Sequence, residues 1–372
     1  MSGTELLYSA LRAPDKIHSM QRIIERLCHN YQRPVRIMEV CGGHTHTIVK
    51  YGLDQLVPEQ VRFVHGPGCP VCVLPQHRID AALQLAAMPD TILVTLGDML
   101  KIPGTQSSLQ QARATGGDIR VVYSPLDALT IAQKNPEHRV IYFAIGFETT
   151  APMTALLIEQ AQQQKLANLF FHINHVLIPP AMEMILSTPE CSVDAFIAPG
   201  HVSVITGSDI FTPIARRFQK PLVISGFEPM DIMASVERIL HQLNHNEAKV
   251  ENTYSRSVTS QGNRKAQRLM ERYFEPRATF LWRGIGAIPQ SALQFRTEFA
   301  DIDAEVRFAE HCPAPAPESG HGCICGSILT GQAHPQECPL FAKQCTPTNP
   351  QGSCMVSNEG ACSAYYKYRR DQ

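Results

Sequence analysis

An α/β fold of two small doubly wound parallel sheets, followed by a cysteine-rich iron–sulfur segment, is what this 372-residue chain predicts. Two patterns predict the sheets and a third sets off the tail. Short apolar runs alternate with helical stretches from Arg36 to Ser225, as parallel strands covered on both faces require. The runs end in Gly, Pro, Asp or His, the residues that turn a chain out of a strand. Beyond about Pro313, Pro, Gly and Cys dominate and continuous apolar pattern is lost.

The chain begins with apolar residues at helical spacing between Thr4 and Tyr31 (Leu7, Leu11, Ile17, Ile23, Ile24, Leu27), so residues 1–33 read as N-terminal helices. Eight runs then read as strands: Arg36 to Val40, Val61 to His65, Thr91 to Leu96, Ile119 to Tyr123, Val140 to Ile145, Leu169 to Ile173, Ala195 to Ala198 and Pro221 to Ser225. Thr150 to Leu166, with its early Pro152, and Pro229 to Leu243 read as helices between or after them. Eight strands in sequence order suit two sheets better than one, giving an α/β domain over 34–145, a second over 146–275 and a cluster-bearing domain over 276–372.

Composition narrows the function. With 44% hydrophobic and 18% charged residues and a formal charge of −1, the chain is globular and has no field to draw in nucleic acid or anionic lipid. No stretch approaches the roughly 20 apolar residues that span a bilayer, and the first residues do not resemble a secretory signal, so a cytoplasmic location is expected. In that compartment thiols stay reduced, and twelve cysteines imply metal binding or redox chemistry rather than a disulfide framework. No phosphate-binding glycine loop of either common type is present.

In open α/β sheets ligands sit at the carboxyl ends of the strands. Cys41-Gly42-Gly43-His44-Thr45-His46 follows the first run and Gly66-Pro67-Gly68-Cys69-Pro70-Val71-Cys72 the second. Cys41, Cys69 and Cys72 can offer three soft ligands to one metal, leaving a position for His44 or an exogenous group. The same Cys-x-x-Cys spacing also suits a thioredoxin-like redox pair or a structural zinc site. Asp98, Glu148 and Glu228 at strand ends suit proton transfer or helix capping, and His172, His175 and His201 are candidates for the same crevice. The two Gly-Phe-Glu elements at 146–148 and 226–228 hint at a duplicated unit.

Seven of the twelve cysteines fall between Cys312 and Cys362. Cys323, Cys325, Cys338, Cys345, Cys354 and Cys362 provide enough thiolates for one [4Fe–4S] cluster plus a dithiol pair. Their wide, irregular spacing favours a cluster over zinc, which binds through regular paired knuckles. Cys28, Cys191 and Cys312 lie outside both groups.

Taken together, Cys-Gly-Gly-His-Thr-His at 41–46, Gly-Pro-Gly-Cys-Pro-Val-Cys at 66–72, Gly-His-Val-Ser-Val-Ile-Thr-Gly at 200–207 and the tail from Cys345 to Cys362 resemble the HypD family of hydrogenase maturation factors over nearly the whole chain. The resemblance implies a scaffold on which the Fe(CN)2CO group of [NiFe]-hydrogenase is assembled, with redox activity rather than ordinary turnover. It implies a HypC-type small chaperone that shares the iron, a HypE-type cyanide donor, and Cys41, Cys69 and Cys72 as the iron-site thiols with His44 nearby. It also implies a C-terminal [4Fe–4S] cluster in surroundings like those of ferredoxin–thioredoxin reductase. For the cluster, Cys338, Cys345 and Cys362 are preferred with Cys323 as the fourth ligand, Cys325 and Cys354 being alternates. Cys69 and Cys72 acting alone as a thiol–disulfide oxidoreductase is the competing function.

Overall fold

The structure, a computed structural model, describes residues 3–29, 31–315 and 322–370. Nine strands form its two parallel sheets: β1 (Val35–Glu39), β2 (Val61–His65), β3 (Thr91–Thr95), β4 (Ile119–Val121), β5 (Arg139–Gly146), β6 (Leu169–His175), β7 (Ala195–Pro199), β8 (Leu222–Ser225) and β9 (Val250–Asn252). All eight expected runs are strands. The ninth escaped notice because Val-Glu-Asn is short and only half-buried at the sheet edge.

Sheet membership departs from sequence order. One sheet runs β2-β1-β7-β8-β9 and the other β4-β3-β5-β6, so the unit spanning 91–175 is inserted within the first. The expected division at 145/146 falls between β5 and β6, which pair along their whole length from Val140↔Leu169 to Gly146↔His175. Runs buried on both faces look alike in sequence, and nothing in them specifies which distant run completes a sheet. β1 finds its second neighbour in β7, through Ile37↔Ala195 to Glu39↔Ile197.

Both sheets reverse winding direction once, between β1 and β7 and between β3 and β5. Loops diverge at such points and leave a crevice at the carboxyl ends of the strands. The loops after β1 and β7 carry Cys41 and His201; those after β3 and β5 carry Asp98 and Glu148. The two Gly-Phe-Glu elements follow β5 and β8, which hold different places in their sheets, so they do not mark equivalent positions of a repeat.

Packing explains the remaining elements. The helix Pro14–Cys28 buries Ile17, Ile24 and Cys28 against the helix Pro229–Asn244, closing one face of the first sheet. The Leu7 side chain lies outside the described residues. Two antiparallel hairpins that the sequence reading did not anticipate, Phe274–Pro276 with Leu293–Phe295 and Thr279–Trp282 with Gly286–Pro289, cover the inserted sheet and the loop after β2. Glu305, paired with Arg78 and Arg277, ties this region to the first turn of the helix Gln76–Ala86. Arg283 donates its amide to Val73 O at 2.8 Å, which places the second hairpin directly behind Cys72.

The tail has no sheet of its own. Its helices Cys325–Leu329 and Ala361–Arg369 send Ile328, Leu329, Ala364 and Tyr365 into the main core, so it folds as a clamp across the crevice. Among the described residues no helix is long and apolar enough to cross a membrane.

Candidate functional site

Cys41 leaves β1 in an extended conformation and caps the helix Gly42–Lys50. The loop after β2 lies alongside: Gly42 N–H donates to Gly68 O at 2.9 Å. Gly68 is glycine for a steric reason, since a Cβ there would fall 2.4 Å from the Cys41 nitrogen. Cys69 then caps the short helix Pro70–Val73, its sulfur accepting the Cys72 N–H at 3.2 Å, and Cys69 and Cys72 are joined as a disulfide. The Cys-x-x-Cys pair is therefore oxidised and buried, while Cys41 remains free and partly exposed.

Cys41 sits among acids. Burial pushes its thiol up to about 12, with Glu359 and Glu39 adding to the rise and the amides of Gly43 and His44 opposing it. Such a thiol keeps its proton at neutral pH until a cation arrives to displace it. Glu359 comes from the tail and packs so closely that a Cβ on Gly42 would stand 2.3 Å from its carbonyl oxygen.

His44 is fully buried. Its Nε2 lies 3.3 Å from Ser225 O, its Nδ1 has no partner, and it stacks on Phe227 at 4.9 Å. Burial lowers its pKa to about 4, so the ring is neutral at physiological pH. His201 stacks on the other ring contact of Phe227 at 3.8 Å, which brings both histidines to the switch-point crevice. His172 and His175 do not reach it. They are buried on β6, bonded to Asn174 and Thr154 respectively.

The acidic candidates divide by role. Glu228 caps the helix Pro229–Asn244 in a capping box with Asp231 and pairs with Arg12, a structural use. Asp98 accepts the Ser357 hydroxyl at 2.9 Å and so anchors the tail. Glu148 accepts the Ile178 N–H at 3.0 Å through Oε1, while buried Oε2 has no partner. Burial raises its pKa to about 7. Between the usual carboxylate range and pH 7 the folded chain therefore holds a proton that the unfolded chain releases, and stability falls as pH rises. Glu148→Gln is expected to remove that slope, gaining about 3 kcal/mol relative to the parent between pH 4 and pH 8. Urea midpoints at the two pH values measure it.

The six tail thiols lie close enough to act on one another. The sulfurs of Cys325 and Cys354 are 2.6 Å apart in a buried pair, a contact that lowers the Cys325 pKa and pushes that of Cys354 well up. Burial, followed by repulsion from Cys325, Cys323, Cys345 and Cys338, raises the Cys362 thiol well above the ordinary value. Cys323 is pushed up to about 12 by burial and by Cys325, Cys338 and Cys345. The Cys345 sulfur accepts the Gln351 N–H at 3.4 Å. Among the described residues no three His, Cys, Asp or Glu side chains already converge on a metal position. The donor chemistry nevertheless fits a cluster: six soft, crowded thiols, five of them buried, that a cationic centre would deprotonate.

The two thiol regions touch. Ser353, next to Cys354, donates its hydroxyl to Cys72 O at 2.6 Å, and the Cys72 sulfur lies 3.7 Å from Ser353 O. Sequence reasoning found the cysteines but not Ser353, Glu359, Phe227, Glu39 or His65. Glu359 stood inside a motif already noted, Asn-Glu-Gly between Cys354 and Cys362, and that was the one available signal.

A switch-point crevice bearing a free thiol, a neighbouring disulfide and a docked, cysteine-rich tail defines an α/β protein whose crevice is built for thiol chemistry. The chain belongs to the HypD family: the family model described as "HypD: Hydrogenase formation hypA family" matches residues 15–369. It is 51% identical over 347 residues to the hydrogenase maturation factor HypD of Azotobacter vinelandii, covering 92% of this chain and 91% of that protein. Similarity to the HypD of Escherichia coli K12 is 44% over 368 residues and 97% of both chains. The hydrogenase expression/formation protein HupD of Azotobacter chroococcum is 51% identical over 346 residues, 91% of each.

Proposed function

We propose that this chain is a hydrogenase maturation scaffold that receives iron at Cys41 and holds it while cyanide and carbonyl ligands are attached. The carrying observation is the meeting of Cys41, the Cys69–Cys72 pair and the tail at one crevice, with Cys41 unpaired and partly exposed. Family membership supports the same reading. A HypC-type small chaperone would share the iron and a HypE-type donor would deliver cyanide, in the cytoplasm, whose reducing conditions favour opening of the Cys69–Cys72 disulfide.

The residues divide the work. Cys41 would release its proton to solvent as the incoming cation binds its sulfur, aided by the Gly43 and His44 amides that favour its thiolate form. Cys69 and Cys72 present metal ligands only when their disulfide is opened, so reduction of this pair gates a three-thiol site. Neutral His44 and His201, stacked on Phe227, wall one side of the crevice and keep competing positive charge out of it. Glu359 and Asp98 seat the tail over the site.

Cys323, Cys338, Cys345 and Cys362 would hold a [4Fe–4S] cluster, which when bound supplies electrons singly. Cys325 and Cys354 are then the adjacent dithiol, and Ser353 joins them to Cys72. The oxidised Cys69–Cys72 pair favours one rival, a free-standing thiol–disulfide oxidoreductase. Two assays separate them. The scaffold reading expects Cys41→Ala to abolish hydrogenase activity in a host lacking its own copy of this protein, with negligible insulin reduction by the parent. Insulin reduction that survives Cys41→Ala, together with restored hydrogenase activity, would favour the oxidoreductase.

A further inference from the structure

A carboxylate with 0% exposure lies directly beneath Cys41. Glu39, the last residue of β1, has three donors on its two oxygens: Cys41 N–H on Oε2 at 3.0 Å, and the Thr45 hydroxyl at 2.5 Å and His65 Nδ1 at 2.8 Å on Oε1. Burying a charge is costly unless it is fully hydrogen-bonded, and an apolar residue would fill this place at no such cost. Its retention here calls for a use. His65 is the final residue of β2 and stands opposite Glu39 in register, so the two strand ends are locked to each other at the side-chain level.

The chain of bonds continues into the tail. His65 Nε2 lies 3.2 Å from Tyr365 Oη, and the same hydroxyl lies 2.8 Å from His334 Nε2. Tyr365 sits on the helix that carries Cys362, and His334 precedes the turn Pro335–Glu337 that leads to Cys338. Burial holds His334 near a pKa of about 4 and keeps the Tyr365 hydroxyl protonated, so the tail side of this path is uncharged at pH 7. Glu39 can only accept, and His65 Nδ1 is therefore the donor to it. The path has one fixed polarity at its inner end, and that end is the amide of Cys41.

We propose that Glu39 and His65 are positioning residues that set the Cys41 loop for its iron cargo, and that Tyr365 makes this setting depend on the docked tail. The proposal rests on Cys41 being the cargo thiol. Nothing in it requires either residue to touch iron. Glu39 fixes the Cys41 backbone and the first turn of its helix through Thr45, His65 fixes Glu39, and the tail helix fixes His65.

The test uses the full chain, purified without oxygen together with its small partner, as Glu39→Gln, Tyr365→Phe and the double variant. Infrared bands of bound cyanide and carbonyl are read per protein, along with tail-cluster absorbance and the unfolding temperature. In iron-free protein the rate of Cys41 alkylation by a maleimide is read by peptide mass mapping. Tyr365→Phe keeps the ring packing and removes one hydroxyl. It should lower band intensity about threefold with shifted band positions, and change the alkylation rate by a similar factor, at unchanged tail absorbance. Glu39→Gln should lower intensity about tenfold, and the double variant should be no worse than Glu39→Gln alone, because both act along one path. Additive losses, or a Tyr365→Phe protein that matches the parent in bands and alkylation, overturn the proposal. Should Glu39→Gln fail to fold, Tyr365→Phe decides it. A parent protein without any bands removes the scaffold reading, and the alkylation rates then decide the positioning role by themselves.

Discussion

Cys41→Ala is expected to eliminate the iron cargo while leaving the visible absorbance of the tail cluster at its parental level. Cys41 is the one thiol of the crevice that is neither paired nor fully buried, so no neighbour substitutes for it. The tail is seated by many contacts besides the Cys41 sulfur, among them Gly42 against Glu359, the Asp98–Ser357 and Ser353–Cys72 bonds, His65–Tyr365 and the Arg369–Asp54 ion pair. Iron determination before and after the substitution should therefore fall by the cargo alone. Loss of cargo and cluster together would mean that the two thiol regions form one centre.

Cys345→Ser is expected to remove cluster iron and loosen the tail. Residues 322–370 have short helices and few core side chains of their own, and crowded thiols there repel one another when ionised without a bound cation. A segment of that kind takes much of its folding free energy from its metal, on the order of 10 kcal/mol for tightly bound centres. Limited proteolysis should cut the variant after residue 322 at least about tenfold faster than the parent, because cleavage follows the population of the opened state. Since the Ser353–Cys72 bond and the contact of Gly42 with Glu359 tie tail to crevice, loading at Cys41 should weaken as well. Equal cleavage rates would show that the tail stands on side-chain packing alone.

Much of this was legible in the sequence, for a physical reason. Parallel strands buried on both faces are written as short apolar runs, and Cys41, Cys69 and Asp98 could be placed at their carboxyl ends before any coordinates. Which run pairs with which was not legible. β1 lies beside β7 across an inserted unit, and no property of Val35–Glu39 names Ala195–Pro199 as its neighbour. Polar residues inside apolar runs were passed over for the same reason: Glu39 and His65 look like strand ends in sequence, and only their register reveals a bonded pair. The state of Cys69 and Cys72 depends on redox conditions and is not a property that spacing encodes. For the histidines, position along the chain said nothing of depth, and His172 and His175 proved to belong to the inserted sheet.

The most direct test of the scaffold role is an infrared spectrum of the parent protein, purified anaerobically with its small partner, with iron determined on the same sample. The account predicts bands in the region of metal-bound cyanide and carbonyl, and more iron than the tail cluster alone would hold. Cluster iron without those bands would contradict it and leave a redox protein in place of a scaffold.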